Sequence, residues 1–303
     1  MKVLIAGGTG FIGRSLIERL VHAGHSAVVL TRRPAMMDVP SNPSIRCLQW
    51  DARSTGEWEP VVNEVDAVIN LAGESIAAKR WTSAQKERIA RSRIEATHAI
   101  VRAIEKAMRK PEVLISASGV GYYGDVREGD VDEDSPHGDD FFANLCLQWE
   151  SEALLAGRHA VRVVTLRTGI VLHPSGGTMK KFLLPFRLFV GGPLGPGSQW
   201  MSWIHREDAI RAILFALENK SLSGPVNITA PNPVTMREFC RSLGRALRRP
   251  SWFPVPGFAL WLALGDMADV VLKGQRVIPA KLIRAGFSFN FPQLDPAMSE
   301  LVR

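Results

Sequence analysis

Only two tyrosines, Tyr122 and Tyr123, and three cysteines, Cys47, Cys146 and Cys240, occur in 303 residues. The cysteines are odd in number and widely spaced, which gives neither a disulfide framework nor a zinc-ligand spacing. A reducing, cytoplasmic setting is expected. No apolar run is long enough to cross a bilayer. The most apolar late stretch, 252–272, is broken by Pro254, Pro256, Gly257, Asp266 and Asp269. A packed helix after a loop is expected there, with no membrane as partner. The opening apolar residues run into glycines too soon for a secretory signal. Asp130, Asp132, Glu133 and Asp134, with Asp139 and Asp140, lack the central glycine and final glutamate of a calcium loop. A solvated loop is expected instead, and no metal site.

The composition, 46% hydrophobic and 22% charged, is that of an ordinary globular chain. The formal net charge of +7 suggests an anionic partner, a phosphorylated ligand or a nucleic acid. Between positions 79 and 110 ten basic residues face three acidic ones. Trp81 is the lone aromatic there, so base stacking has little support and nucleic acid is disfavoured.

Short continuous apolar runs at 3–6, 27–30, 45–49, 67–71, 113–115 and 162–166 read as buried strands. They alternate with helical spacings at 11–23, 83–108 and 141–155. Such alternation predicts an α/β fold, a Rossmann-type doubly wound parallel sheet covered on both faces. Residues 1–172 are expected to form the nucleotide-binding domain. From 173 the glycines and prolines of a long connection take over around a short helix. Helical patterns at 207–218 and 235–247 follow, so 173–303 reads as a loop-rich substrate region with a small C-terminal lobe.

Gly7, Gly10 and Gly13, with Thr9, Phe11 and Ile12 between them, follow the first strand and open the first helix. Glycine lets the backbone turn tightly beside a pyrophosphate, and the helix N-terminus favours its charge. The competing reading is a merely structural turn. The second strand ends in Thr31, Arg32 and Arg33, where an NAD site usually offers an acid. Guanidinium groups there suit a 2′-phosphate, so the expected cofactor is NADP(H); a solvated basic loop is the alternative. Asp51 follows the third strand and could bond the adenine. Leu71, Ala72 and Gly73 end the fourth, where small residues admit a cofactor alongside; strand-end packing is the bland reading of each.

These residues resemble an extended short-chain dehydrogenase/reductase of the sugar-nucleotide-epimerase type. The Ser-rich strand end 116–124, the strand 166–171 and the turn Trp203-Ile204-His205-Arg206-Glu207-Asp208 are similar to further motifs of that group. More narrowly, 70–76, 79–81, 92–97, 184–188, 274–279 and 285–287 resemble the epimerase-family branch 39U. The resemblance implies NADP(H) binding, with Thr31 and Arg32 at the 2′-phosphate and Leu71 and Ala72 beside the cofactor. It also points to Arg93 and Val171. It implies no particular substrate, although many relatives are dimers, so a homodimer is possible.

The superfamily's proton chemistry uses Tyr-x-x-x-Lys, and that pattern occurs nowhere in this sequence. With Glu150 aligned to the glutamate that usually follows the pair, the lysine position falls on Cys146 and the tyrosine position on Phe142. Neither does the family's proton work. The remaining catalytic candidates are Ser118, Tyr122 and Tyr123, with Lys79 and Arg80 able to hold an acidic substrate and His205 a further acid–base candidate. Structural roles compete for each: serine as a strand-end cap, the tyrosines as a packing pair, a loop histidine as a structural group. The expected function is an NADP(H)-binding, epimerase-like oxidoreductase acting on a small-molecule substrate. The alternatives are a non-catalytic NADP(H) sensor and, more weakly, a sugar-nucleotide epimerase.

Overall fold

A computed structural model describes residues 1–34, 42–77 and 79–302. The first half alternates strand and helix: β1 (Lys2–Ala6), α1 (Gly13–His22), β2 (Ser26–Thr31), β3 (Ile45–Gln49), β4 (Ala67–Asn70), α2 (Ser83–Lys106) and β5 (Val113–Gly119). After β6 (Val126–Val131) come α3 (Phe141–Leu154), β7 (Arg162–Thr168), β8 (Ile170–Leu172) and α4 (Gly177–Arg187). The chain continues through β9 (Trp200–Met201), β10 (Trp203–His205), α5 (Arg206–Glu218) and β11 (Gly224–Ile228). It ends with β12 (Val234–Thr235), α6 (Met236–Leu247), α7 (Gly257–Leu264), α8 (Met267–Leu272), β13 (Gln275–Val277), α9 (Ala280–Arg284) and α10 (Leu294–Leu301).

Seven strands form one sheet in the order β11-β7-β5-β4-β1-β2-β3, and every pair in it is parallel. The doubly wound α/β architecture expected from the sequence is present. Both faces are buried because the strands are apolar on both sides. Val3, Ile5, Ile69 and Ile115 face one layer, packed with Leu16 and Leu20 of α1 and Ile213 of α5. Leu4, Val28, Val68 and Leu114 face the other, packed with Ile100 and Ile104 of α2. From β1 the chain winds outward through β2 and β3, then crosses back to β4 and winds the other way. The carboxyl ends of β1 and β4 therefore flank the switch point, where α/β sheets bind ligands.

The second lobe is an excursion between β7 and β11 together with the chain end. The seventh sheet strand, β11, comes from beyond residue 172 and pairs with β7. Phe182 and Phe186 of α4, Phe239 and Leu243 of α6 and Met298 of α10 make a separate core. β13 pairs with β6 and ties the chain end back to the segment after β5.

Two expectations are corrected here. The acidic segment is not simply a solvated loop. β6 occupies its start, and Glu133 is buried, its carboxylate accepting from the backbone N–H groups of Asn227 (3.0 Å) and Lys281 (3.1 Å). Nor is 252–272 a packed helix: it holds two short helices, and in α7 only Leu260 is buried. No helix among the described residues is long and apolar enough to cross a membrane. Five of the ten basic residues at 79–110 are ion-paired among the described residues: Lys86 with Asp266, Arg91 with Glu95, Arg102 with Glu105, Lys106 with Glu59 and Arg109 with Asp66.

One such pair gives a stability prediction. Asp66, just before β4, accepts from the backbone N–H of Lys2 (2.8 Å) and from Arg109 Nη2 (2.7 Å). The Lys2 N–H first, and then Arg109, hold the carboxyl below its usual range. A carboxylate whose pKa is lower in the folded state stabilises the fold above the ordinary value, about 3.9. That contribution is lost as the pH falls through the lowered native value. Asp66→Asn should cost about 1–2 kcal/mol at pH 7 in urea denaturation. The gap from wild type should close in strong acid; a gap independent of pH would contradict the role.

Candidate cofactor and substrate site

The glycine turn is built by close approach. Gly7 has φ +79°, and a β-carbon there would sit 2.5 Å from Leu71 O at the end of β4. A β-carbon at Gly13 would sit 2.3 Å from Gly7 O and 2.7 Å from Gly8 Cα. The turn is closed by Gly10 N donating to Gly7 O at 3.0 Å. Only hydrogen fits at Gly7 and Gly13, so the loop folds flat against both strand ends. The helix that follows has no side-chain cap at Ile12. Arg14 N–H is taken by Gly10 O at 3.2 Å, so an anion would meet the other N–H groups of the first turn.

The predicted neighbours converge on this turn. Phe11, Ile12, Leu71 and Val171 share one apolar cluster. Phe11 lies against Gly176 and Gly177, where a β-carbon at Gly176 would come within 2.6 Å of its ring. That contact ties the cofactor loop to the start of α4 and is not legible from the motif. Ala72 donates its N–H to Asn70 Oδ1 (3.1 Å), and Asn70 Nδ2 donates to Thr97 Oγ1 on α2 (2.9 Å). Trp149 Nε1 donates to the same hydroxyl. The strand end after β4 is thus held from below, not left as a free loop.

Arg93 lies within this frame. It is buried, and its guanidinium donates to the carbonyls of Ile89 and Glu74 and sits 5.2 Å from the Trp149 ring. Its Nε is buried without a partner among the described residues. A β-carbon at Gly73 would sit 3.2 Å from Arg93 Cζ, so the glycine lets the arginine approach the strand end. Burial pushes its pKa down to about 10, which still leaves a cation at neutral pH. A buried cation needs a compensating anion.

At the end of β2, Thr31 is buried and accepts from the Arg33 N–H at 3.3 Å. Arg32 is exposed and has no carboxylate partner among the described residues. Asp51 is engaged in its own turn, accepting from Arg53 N, Ser54 N and Ser54 Oγ. Slight burial opposes its charge, but the Ser54 and Arg53 bonds prevail and hold it below the usual carboxylate range.

On the other side of the switch point lies a buried polar network. Arg167 on β7 grips Glu150 of α3 through Nε (2.9 Å) and Nη2 (2.9 Å). Ser118 Oγ donates to the same carboxylate at 2.7 Å. Arg167 Nη1 also donates to Tyr123 Oη (3.0 Å), and that hydroxyl donates to Asn227 Oδ1 (2.7 Å). The Tyr122 ring lies 3.4 Å from the Arg167 guanidinium and edge-on to Tyr123. Burial foremost pushes the Tyr123 pKa up, with Arg167 opposing. Burial works against the charge of Arg167, but Glu150 outweighs it and raises the pKa. Sequence reasoning assigns no role to Arg167, Glu133 or Asn227; only the fold brings them together.

Helix α3 presents Phe142 and Cys146 to the end of β5. A β-carbon at Gly121 would fall 2.0 Å from Phe142 Cδ1, and one at Gly119 3.9 Å from Cys146 Sγ. The Cys146 thiol is pushed up to about 12 by burial and then by Glu150. It is a small apolar filler at neutral pH. His205 caps α5, accepting from Glu207 N, and its Nε2 meets Glu300 at 3.0 Å. A cavity of about 560 Å³ between α1 and α5 is lined by His22, His173, His205 and Glu300 among others, but by none of the predicted cofactor residues.

A glycine turn at the switch point of a parallel sheet, with arginines beside it, defines a Rossmann-type nucleotide-binding protein. The chain belongs to the NAD dependent epimerase/dehydratase family, which matches residues 3–229. A domain of unknown function, DUF1731, matches 255–301. The chain is 42% identical to an Arabidopsis thaliana protein called "Epimerase family protein SDR39U1 homolog, chloroplastic", covering 100% of this chain and 87% of that one. It is 40% identical to epimerase family protein YfhF of Bacillus subtilis, over 100% of this chain and 98% of that protein. Among solved structures, human epimerase family protein SDR39U1 (isoform 2) with NADPH superposes with a TM-score of 0.89. The identity is 37%, over 100% of this chain and 99% of that one. The branch resemblance expected from the sequence is shown by these relatives.

Proposed function

We propose that the chain binds NADPH at the switch point and is an oxidoreductase of a small hydroxyl or carbonyl compound. The observation that carries it is the set of cationic and glycine positions around one strand edge. Gly7, Gly10 and Gly13 bring backbone to the pyrophosphate, and Arg32 meets the 2′-phosphate. Arg93 lies buried beneath the β4 end, its Nε without a partner among the described residues. The human relative solved with NADPH supports this reading. When bound, the nicotinamide supplies or accepts a hydride. The free cysteines Cys146 and Cys240, both buried thiols, suit a reducing cytoplasm.

Arg32→Ala should weaken NADPH by about 10–100-fold, the worth of a charged hydrogen-bond contact, and leave NADH nearly unchanged. Calorimetry with both coenzymes checks this, and equal weakening would contradict the 2′-phosphate contact.

For the chemistry, Ser118 is the group proposed to meet substrate. Its hydroxyl donates to Glu150 at 2.7 Å; turned to a substrate, it would donate that hydrogen to the carbonyl oxygen and position it for the hydride, with the proton that completes the alcohol coming from water. Tyr123 has its hydroxyl committed to Arg167 and Asn227, and Tyr122 stacks on Arg167. With NADPH and a panel of aldehydes, ketones and quinones, Ser118→Ala should lower turnover about a hundredfold while NADPH affinity holds. Phe142 and Cys146 at the usual proton-transfer positions favour a second reading, an NADPH sensor. Saturable NADPH binding with no turnover on any substrate of the panel would select the sensor.

A further inference from the structure

Exposed apolar side chains are concentrated in one part of the second lobe. Of the fourteen large hydrophobic residues exposed among the described residues, nine fall in 184–190 and 252–262. Phe258 is 76% exposed, Leu262 80% and Trp252 69%. The two segments form one surface. Trp252 Nε1 donates to Phe189 O (3.0 Å), the N–H groups of Trp252 and Phe253 both reach Gly191 O, and Val255 pairs with Leu194. Pro256 then caps α7, whose residues Phe258, Trp261 and Leu262 point outward. Isolated exposed apolar residues need no explanation, but nine of them in two segments bonded to each other do.

The flank of this patch is strongly basic. Arg237, Arg241 and Arg245 recur every fourth residue along α6, and Arg248 and Arg249 follow its end. A shallow open pocket of about 390 Å³ is walled by Arg241, Arg245, Arg248 and Arg249 with Ser251. The Ser251 hydroxyl oxygen is buried without a partner among the described residues. Asp295 offsets Arg245 alone (2.7 Å). No acidic residue occurs at 153–206 or at 239–265. The Arg249 guanidinium lies 4.4 Å from the Phe189 ring, so the basic and apolar parts touch. Phe189 and Arg248 both have left-handed backbones, at φ +63° and +56°. Both close helix ends: Phe189 N–H donates to Phe186 O and Val190 N–H to Pro185 O after α4, and Arg248 is the C-cap of α6.

We propose that this face docks on an anionic lipid surface. The aromatic and aliphatic side chains of α7 and Trp252–Phe253 enter the interface, and the arginines hold lipid phosphates. This replaces the expectation of no membrane partner with a peripheral contact, not a span. A second copy of the chain is disfavoured as occupant. A second copy would bring the same basic face, and its segments at 184–190 and 252–262 hold no acidic residue to answer the arginines. The proposal is independent of the NADPH reading, because none of these residues lies at the cofactor edge.

The test is flotation of the full chain with phosphatidylcholine vesicles, with and without phosphatidylglycerol, and with the urea unfolding midpoint as the check on folding. Wild type should float at least about tenfold more with the anionic vesicles, and salt should release it. Arg241→Ala with Arg249→Ala should lower that partition about thirtyfold, and Phe258→Ser with Leu262→Ser should also reduce it, each with the unfolding midpoint unchanged. No flotation, or equal flotation with neutral vesicles, would overturn the proposal. So would a dimer in solution that Leu262→Asp converts to monomer, which would give the face to a second copy. Calorimetric binding of inorganic phosphate that the arginine variants abolish, without vesicle binding, would assign the pocket to a free anion instead.

Discussion

Gly13→Ala should lower NADPH affinity at least about a hundredfold, equivalent to about 2.7 kcal/mol. The added methyl would stand 2.3 Å from Gly7 O and 2.7 Å from Gly8 Cα. Both neighbours are backbone, so no side chain can swing aside. The turn itself must move, and with it the N–H groups that meet the pyrophosphate. The control is Gly56→Ala, where nothing lies within 4 Å of the added carbon and affinity should be unchanged. Fluorescence titration of the bound reduced nicotinamide reads both variants. Full affinity in Gly13→Ala would show that the loop is a structural turn and nothing more.

Glu150→Ala should destabilise the fold by about 3–5 kcal/mol, the usual cost of stranding one partner of a buried pair. Arg167 would lose both of its bonds to the carboxylate, and Ser118 its acceptor. Arg167 is only 3% exposed, so water cannot replace what is removed. Glu150→Gln keeps an acceptor and should cost less. Urea denaturation without cofactor measures both. A loss under about 1 kcal/mol in Glu150→Ala would mean that the network is dispensable and that Tyr123 is freer than its bonds imply.

Much of the sheet and of the cofactor turn is legible in the order of the amino acids. The runs at 3–6, 27–30 and 67–70 are apolar at nearly every position, and only a strand buried on both faces needs that. The glycine turn is local, so its spacing alone carries it. Counting back from Glu150 places Phe142 and Cys146, and α3 does present both to the end of β5. What escapes sequence reasoning depends on partners distant in the chain. β6 and β13 are short and meet only after folding. Glu133 reads as solvated because its neighbours are acidic, yet the N–H groups of Asn227 and Lys281 draw it inside. The 252–272 stretch reads as packed because it is apolar, and composition says nothing about which face remains uncovered.

The central claim is that the turn at Gly7–Gly13 and Arg32 together select a coenzyme bearing a 2′-phosphate. Calorimetric titration of the full chain with NADPH and, separately, NADH tests it most directly. The account predicts saturable, one-site binding of NADPH that is at least about tenfold tighter than that of NADH. No saturation with either coenzyme, or equal affinity for the two, would contradict it.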